Sequence, residues 1–184
     1  MARTESTILA LGTVAPDFSL TDVVSGKTVR RDDFCSKALL VIFICPHCPF
    51  VKHVEQELAE LETDYSVSEL RIVAINSNDA VAYPEDNPDG MREQARVMGF
   101  PFPYLYDETQ AVAKAYEAAC TPDFFLFDKE FRLAYRGQLD ESRPGNGVPV
   151  TGGDLRAAID AVMAGQAVST DQRASLGCNI KWKA

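Results

Sequence analysis

The sequence predicts an α/β domain in which a central mixed β-sheet carries helices on both faces. Three apolar runs of strand length carry the prediction: ALLVIFI (38–44), LRIVAIN (70–76) and DFFLF (123–127). Uninterrupted runs of this kind suit strands covered on both sides. Between them lie segments whose apolar residues recur at helical spacing, and helices alternating with buried strands imply a layered α/β sheet. The length of 184 residues suits one domain able to bury a proper core, residues 1–164, followed by a polar tail, 165–184, expected to dock on it.

The elements follow in order. DFSLTDVVSGKTVR (17–30) reads as an N-terminal β-hairpin around Ser25-Gly26. After the strand at 38–44, Phe50, Val51, Val54, Leu58 and Leu61 form one apolar helical stripe, with Lys52, Glu55, Glu57 and Glu60 mostly off it. The strand at 70–76 leads into a loop (77–90) rich in Pro, Asp and Asn, whose acids Asp79, Glu85, Asp86 and Asp89 read as solvated. A short helix at 91–98 stops at Gly99. FPYLYD (102–107) reads as a strand, and Asp107 with Gln110 as a capping box for the helix AVAKAYEAA. FRLAYR (131–136) alternates as a hairpin partner of 123–127. Thr151 and Asp154 open a last helix bearing Leu155, Ala158, Ile159 and Val162.

The net charge of −9 and the absence of a basic block argue against nucleic acid and anionic membrane as partners. The N-terminus shows no signal-peptide core and no run reaches a membrane span, so the expected compartment is the cytoplasm, where thiols are usually reactive or metal-bound. The five cysteines are Cys35, Cys45, Cys48, Cys120 and Cys178, and an odd count argues against a fully paired disulfide scaffold.

Cys45-Pro46-His47-Cys48 follows the first apolar run. With Cys45 at the junction of strand and helix, Pro46 occupies the first helical turn and the two sulfurs, three residues apart, share a face. The helix N-terminus stabilises a thiolate, and a C-x-x-C cysteine there ionises at roughly 3.5 to 7.5. On this reading Cys45 is the more exposed, attacking thiol, Cys48 resolves the mixed disulfide, and His47 adds a donor or a positive charge. The alternatives are a metal grip and a structural crosslink. Zinc usually takes four ligands, and a closed site here needs Cys120 or Cys178 from far away, so no metal is expected. His47 also reads as a plain exposed residue, and His53 as a helix-surface residue.

Strand, C-x-x-C, helix and a later Thr-Pro before a hairpin resemble the thioredoxin superfamily, on the residues ALLVIFICPHC and CTPDFFLF. The resemblance implies a thioredoxin-like fold, a cis-proline at Pro122, and Thr121 as the residue whose backbone contacts a bound substrate chain. APDFSLTD and the elements at 77–106 are more similar to the alkyl hydroperoxide reductase/thiol-specific antioxidant branch. CPFVKH, INSNDA, YRGQLDESRP and GCNIKWK resemble a poorly characterised bacterial group within it. Pro-His between the cysteines is the pair of the oxidising member DsbA. The buried acid that thioredoxin carries in the preceding strand has no counterpart in ALLVIFI. The Thr or Ser that peroxiredoxins set three residues before the peroxidatic cysteine is Ile42 before Cys45 and Cys45 before Cys48.

The expected function is thiol–disulfide oxidoreduction in redox homeostasis, without organic cofactor, on protein or small-molecule disulfides with a thiol reductant or oxidant partner. A peroxiredoxin-like antioxidant peroxidase is the enzymatic alternative, and a metal-binding or scaffold module the non-enzymatic one. Cys120 reads either as a further resolving thiol or as a small buried residue. Cys178 lies in the tail with Trp182 and reads either as a thiol that exchanges with the C-x-x-C pair or as idle packing. Cys35 reads as structural.

Overall fold

The computed structural model describes residues 3–65 and 69–184. Ten strands are present among them: β1 (Arg3–Glu5), β2 (Ser19–Asp22), β3 (Thr28–Arg30), β4 (Ala38–Phe43), β5 (Leu70–Asn76), β6 (Tyr104–Tyr106), β7 (Cys120–Thr121), β8 (Asp123–Asp128), β9 (Leu133–Tyr135) and β10 (Leu176–Asn179). The α-helices are α1 (Pro49–Asp64), α2 (Pro88–Met98), α3 (Ala111–Ala115) and α4 (Gly153–Met163). The main sheet runs β3-β2-β6-β5-β4-β8-β9, parallel at β4/β5 and β5/β6 and antiparallel elsewhere.

The apolar runs dictate the layering. In β4, Leu40 and Ile42 face a core shared with Val51, Leu58 and Leu155, while Leu39, Val41 and Phe43 face another shared with Val112 and Tyr116. The strand period of two sends alternate side chains to opposite faces, so an unbroken apolar run requires cover on both. β5 and β8 repeat the pattern, with Ile72 and Phe124 on one face and Val73 and Phe125 on the other. Helices α1, α2 and α4 cover the first face and α3 the second.

Several local readings change. Asn87 caps α2, its side chain accepting from Gly90 N at 2.8 Å, and Gly99 closes it in the left-handed conformation expected of a C-terminal glycine. Asp107 and Gln110 form no capping box. Gln110 itself is left-handed, and the buried Asp107 carboxylate accepts from Ser77 Oγ and Ala113 N. Thr151 does not cap α4, whose N-cap is Gly152.

The largest addition is a second sheet, β1-β10-β7, which sequence reading did not foresee. The 165–184 segment contributes β10, zipped antiparallel between Arg3–Glu5 and Cys120–Thr121. It is tied down by Ser6 N to Ser175 O (2.9 Å), Ile180 N to Ala119 O (3.1 Å) and Asp79 N to Lys181 O (2.9 Å). Gly177 permits the close approach, because a Cβ there would stand 2.1 Å from the Thr121 carbonyl oxygen.

Candidate active site

The C-terminal end of β4, the N-terminus of α1, and the β7–β8 junction converge on Cys45 and Cys48. The Thr121-Pro122 peptide is cis, as the resemblance implied. Cys45 Sγ lies 3.4 Å from Thr121 Oγ1, and Cys48 Sγ lies 3.2 Å from the Thr121 carbonyl oxygen. Thr121 is thus in contact with both sulfurs.

The helix mouth belongs to Cys48. The expectation that Cys45 sits there with Pro46 in the first turn is corrected: Pro46 and His47 form a turn, Cys48 is the extended N-cap, and Pro49 opens α1. The cause is Pro49, which disfavours helical geometry at the preceding residue and is itself favoured at the first helical position. Cys45 is also not the more exposed thiol, since both residues have 0% accessibility. The electrostatics follow this placement. The Cys48 thiol is brought down from 9.0 to about 5, chiefly by a hydrogen bond from Cys45, with further help from Cys178 and Thr121. Cys45 is pushed well up by donating that hydrogen bond, by burial and by the charge of Asp86. The hydrogen bond between the two sulfurs favours a single thiolate in the pair. In its thiol form Cys48 donates to Thr121 O instead.

His47 is not a plain exposed residue. Its side chain is 8% exposed and its ring stacks on Tyr83, centroids 5.3 Å apart. Nδ1 hydrogen-bonds the Asp86 carboxylate and lies 3.9 Å from Cys45 Sγ. Asp86 is not solvated, being fully buried. Its Oδ1 accepts from His47 N at 3.1 Å, its Oδ2 from Asn78 Nδ2 at 2.8 Å, and its carbonyl from Asn76 Nδ2 at 2.8 Å. A buried acid thus stands beside the pair, carried by the loop before α2 and not by β4. Sequence reading missed it because the residues around it, Pro84 to Pro88, carry no apolar period and Asp86 lies 39 positions from His47.

The tail reaches the same place. Cys178 pairs with Thr121 across β10/β7, and its thiol hydrogen-bonds the Cys48 sulfur. Cys120 Sγ donates to Pro122 O at 3.5 Å, and burial with the charge of Asp123 drives its thiol far up. Asp123 itself is pushed up to about 6 by burial, although Arg136 Nη2 sits 3.2 Å away. Cys35 is exposed, and the His53 ring meets Ser142 Oγ at 2.7 Å, away from the pair. The backbone edge at Thr121, which the resemblance assigns to a substrate chain, is filled by β10.

Chemically, two adjacent sulfurs with one thiolate suit reversible disulfide formation. Cys45 Sγ, a His47 ring nitrogen and an Asp86 oxygen also lie within 4.8 Å of one another, a mixed donor set within reach of one cation. His47 Nδ1 is already engaged by the carboxylate, so coordination there would displace that hydrogen bond.

A mixed sheet with helices on both faces, a C-x-x-C at the end of its central strand and an adjoining cis Thr-Pro define a thioredoxin-like protein. More narrowly, residues 11–136 match the AhpC/TSA family, and the chain belongs to it. It is 31% identical over 130 residues to the thiol-disulfide oxidoreductase ResA of Geobacillus thermodenitrificans, covering 71% of this chain and 70% of that one. An uncharacterised conserved protein from Geobacillus kaustophilus shares 56% identity at a TM-score of 0.97, covering 100% of this chain and 97% of that one. A hypothetical protein from Sinorhizobium meliloti 1021 shares 53% identity at a TM-score of 0.96, covering 98% and 99%. The fold alone is shared with a putative thiol:disulfide interchange protein DsbE from Chlorobium tepidum, 18% identical with a TM-score of 0.69 over 85% of this chain and 99% of that one.

Proposed function

We propose that the protein is a thiol–disulfide oxidoreductase whose redox pair is Cys45 and Cys48. The observation that carries the reading is the pair of sulfurs at the mouth of α1, hydrogen-bonded to each other and each in contact with Thr121 of the cis Thr121-Pro122 peptide. In the proposed roles Cys45 gives up its proton and attacks the disulfide, releasing one thiolate of the substrate, and Cys48 then attacks Cys45 Sγ, releasing the second and leaving a Cys45–Cys48 disulfide. The Asp86 carboxylate, with an oxygen within 4.8 Å of Cys45 Sγ and His47 Nδ1 held against it, is placed to take that proton. Both sulfurs are buried, so an external disulfide reaches them only through local opening. Redox homeostasis in the cytoplasm is the proposed setting, and the exposed thiol of Cys35 suits a reducing compartment.

The test is a rapid-mixing competition. Fully reduced protein meets stoichiometric hydrogen peroxide or a low-molecular-weight disulfide, and the products are trapped and mapped by mass. Faster reaction with the disulfide, ending in a Cys45–Cys48 link, supports the proposal. Faster reaction with peroxide through a sulfenic acid on Cys45 or Cys48 replaces it with a thiol peroxidase. Stoichiometric zinc in protein purified without chelator, with thiols inert until it is removed, replaces it with a metal-binding module.

A further inference from the structure

β10 lies where a substrate chain would have to lie. The resemblance assigns the backbone beside cis Thr121-Pro122 to such a chain, and a chain bound at a strand edge pairs there as a further strand. In this protein the edge is already paired, with Cys178 in register opposite Thr121 and Asn179 opposite Cys120. β10 is held along its length. Its other side pairs with β1, so it is the central strand of its sheet. Ser175 Oγ donates to Pro122 O at 2.7 Å, Lys181 N to Asn78 Oδ1 at 2.8 Å, and Gln110 Nε2 to Lys181 O at 2.8 Å. Cys178 belongs to one core and Ile180 to the other. Gly177 leaves no room for a side chain over the Thr121 carbonyl, so the two backbones are in close contact.

Another part of the cover over Cys45 is of a different kind. The His47 ring lies 3.9 Å from Cys45 Sγ and stacks on Tyr83, which is exposed. Here the cover is two side chains rather than a paired strand. Side chains rotate faster than a central strand unzips, and their movement breaks fewer contacts.

We propose that β10 is the specificity element of this centre: it occupies the strand edge at Thr121, so that the cysteine pair takes low-molecular-weight disulfides and turns away disulfides carried in an extended polypeptide. The inference rests on the oxidoreductase reading and names its substrate class. A cysteine inside a polypeptide has backbone on both sides, and presenting its sulfur to Cys45 against Thr121 puts that backbone where β10 lies. A small disulfide has no such chain. The reaction balances with it alone. Cys45 gives up its proton, bonds to one sulfur of the small disulfide and expels one thiolate. Cys48 gives up its own proton and bonds to Cys45 Sγ, and the second thiolate leaves. The two protein thiols supply the two electrons, and their two protons end on the two released thiols.

The experiment uses the full chain with Cys35→Ser as background, because Cys35 is exposed and would react independently. Reduced protein meets two disulfides of matched chemistry. One is the dimer of N-acetylcysteine methylamide, and the other is the same cysteine dimer with several residues of extended, uncharged chain on each side. Formation of the Cys45–Cys48 link is timed by mass and normalised to the rate of each disulfide with dithiothreitol. Absence of the link with the small disulfide overturns the oxidoreductase reading and the inference with it. A link formed at least about tenfold faster with the small disulfide, the effect of losing roughly one net hydrogen bond, supports the inference. Comparable rates, or faster reaction with the peptide, overturn it while leaving the oxidoreductase reading intact. Gly177→Ala, which forces a Cβ against the Thr121 carbonyl, should narrow the gap by at least about fivefold. Ser175→Ala removes only a hydroxyl tie and should narrow it by less. Faster alkylation of Cys178 reports that β10 is loosened in each variant. A gap that stays the same once β10 is loosened overturns the inference.

Discussion

Replacing Cys45 with alanine removes the hydrogen-bond donor that does most to keep Cys48 ionised. A hydrogen bond to a charged group is worth roughly 1.5–3 kcal/mol. At about 1.36 kcal/mol per pH unit, the Cys48 titration should rise by about 1–2 units in Cys45→Ala. The starting point is about 5, against an ordinary 9.0. The assay is the pH dependence of Cys48 alkylation by iodoacetamide, read on its own peptide in a Cys35→Ser background. The same ionisation has a consequence for stability. The folded pKa lies below the unfolded one, so the contribution is complete above pH 9 and is lost as pH falls through about 5. Reduced wild type should therefore lose stability towards pH 5 more steeply than Cys48→Ala. A wild-type Cys48 profile centred near that of a free thiol refutes the reasoning. So does a low titration that belongs to Cys45, or a Cys48 profile that Cys45→Ala leaves unmoved.

Other outcomes follow from the same geometry. Asp86→Asn removes a charge that raises Cys45, so the Cys45 titration should fall, as followed by carbon-13 NMR of labelled cysteines; an unchanged Cys45 would remove Asp86 from the electrostatics of the pair. Gly177→Ala forces a Cβ against the Thr121 carbonyl. It should cost about 1–3 kcal/mol in denaturant unfolding and speed alkylation of Cys178. Arg136→Met leaves Asp123 buried without its cation and should cost about 3–5 kcal/mol at pH 7. Asp123 already has a raised folded pKa of about 6, so stability linked to it is complete below about pH 4 and lost as pH rises through 6. Without Arg136 that loss should extend to higher pH, which unfolding curves across pH would register.

How much of the site was legible depends on whether its parts are neighbours in sequence. Cys45, Cys48 and Thr121-Pro122 were readable because the C-x-x-C spacing and the Thr-Pro before a hairpin are local patterns with their own chemistry. The placement of Cys48, not Cys45, at the start of α1 was also encoded, in Pro49, since a residue before proline resists the helix and a proline begins one. Asp86 was not readable. Its burial comes from Asn76, Asn78 and His47, which are brought around it by β5 and the turn before α1. In the tail, Leu176, Cys178 and Ile180 alternate as strand residues do, but the pattern is short and names no partner.

By itself the sequence determined the sheet, because runs such as ALLVIFI and DFFLF cannot be left with a wet face. It likewise determined that two thiols stand at the end of the central strand, since the C-x-x-C directly follows that run. Tertiary structure alone decided what touches each thiol and so what sets its charge. Charge on a buried sulfur depends on donors and carboxylates within a few ångströms, and those come from β7, β10 and the loop before α2. No local period connects Cys48 with Cys178 or Cys45 with Asp86. Only the closing of the chain around Thr121 does so.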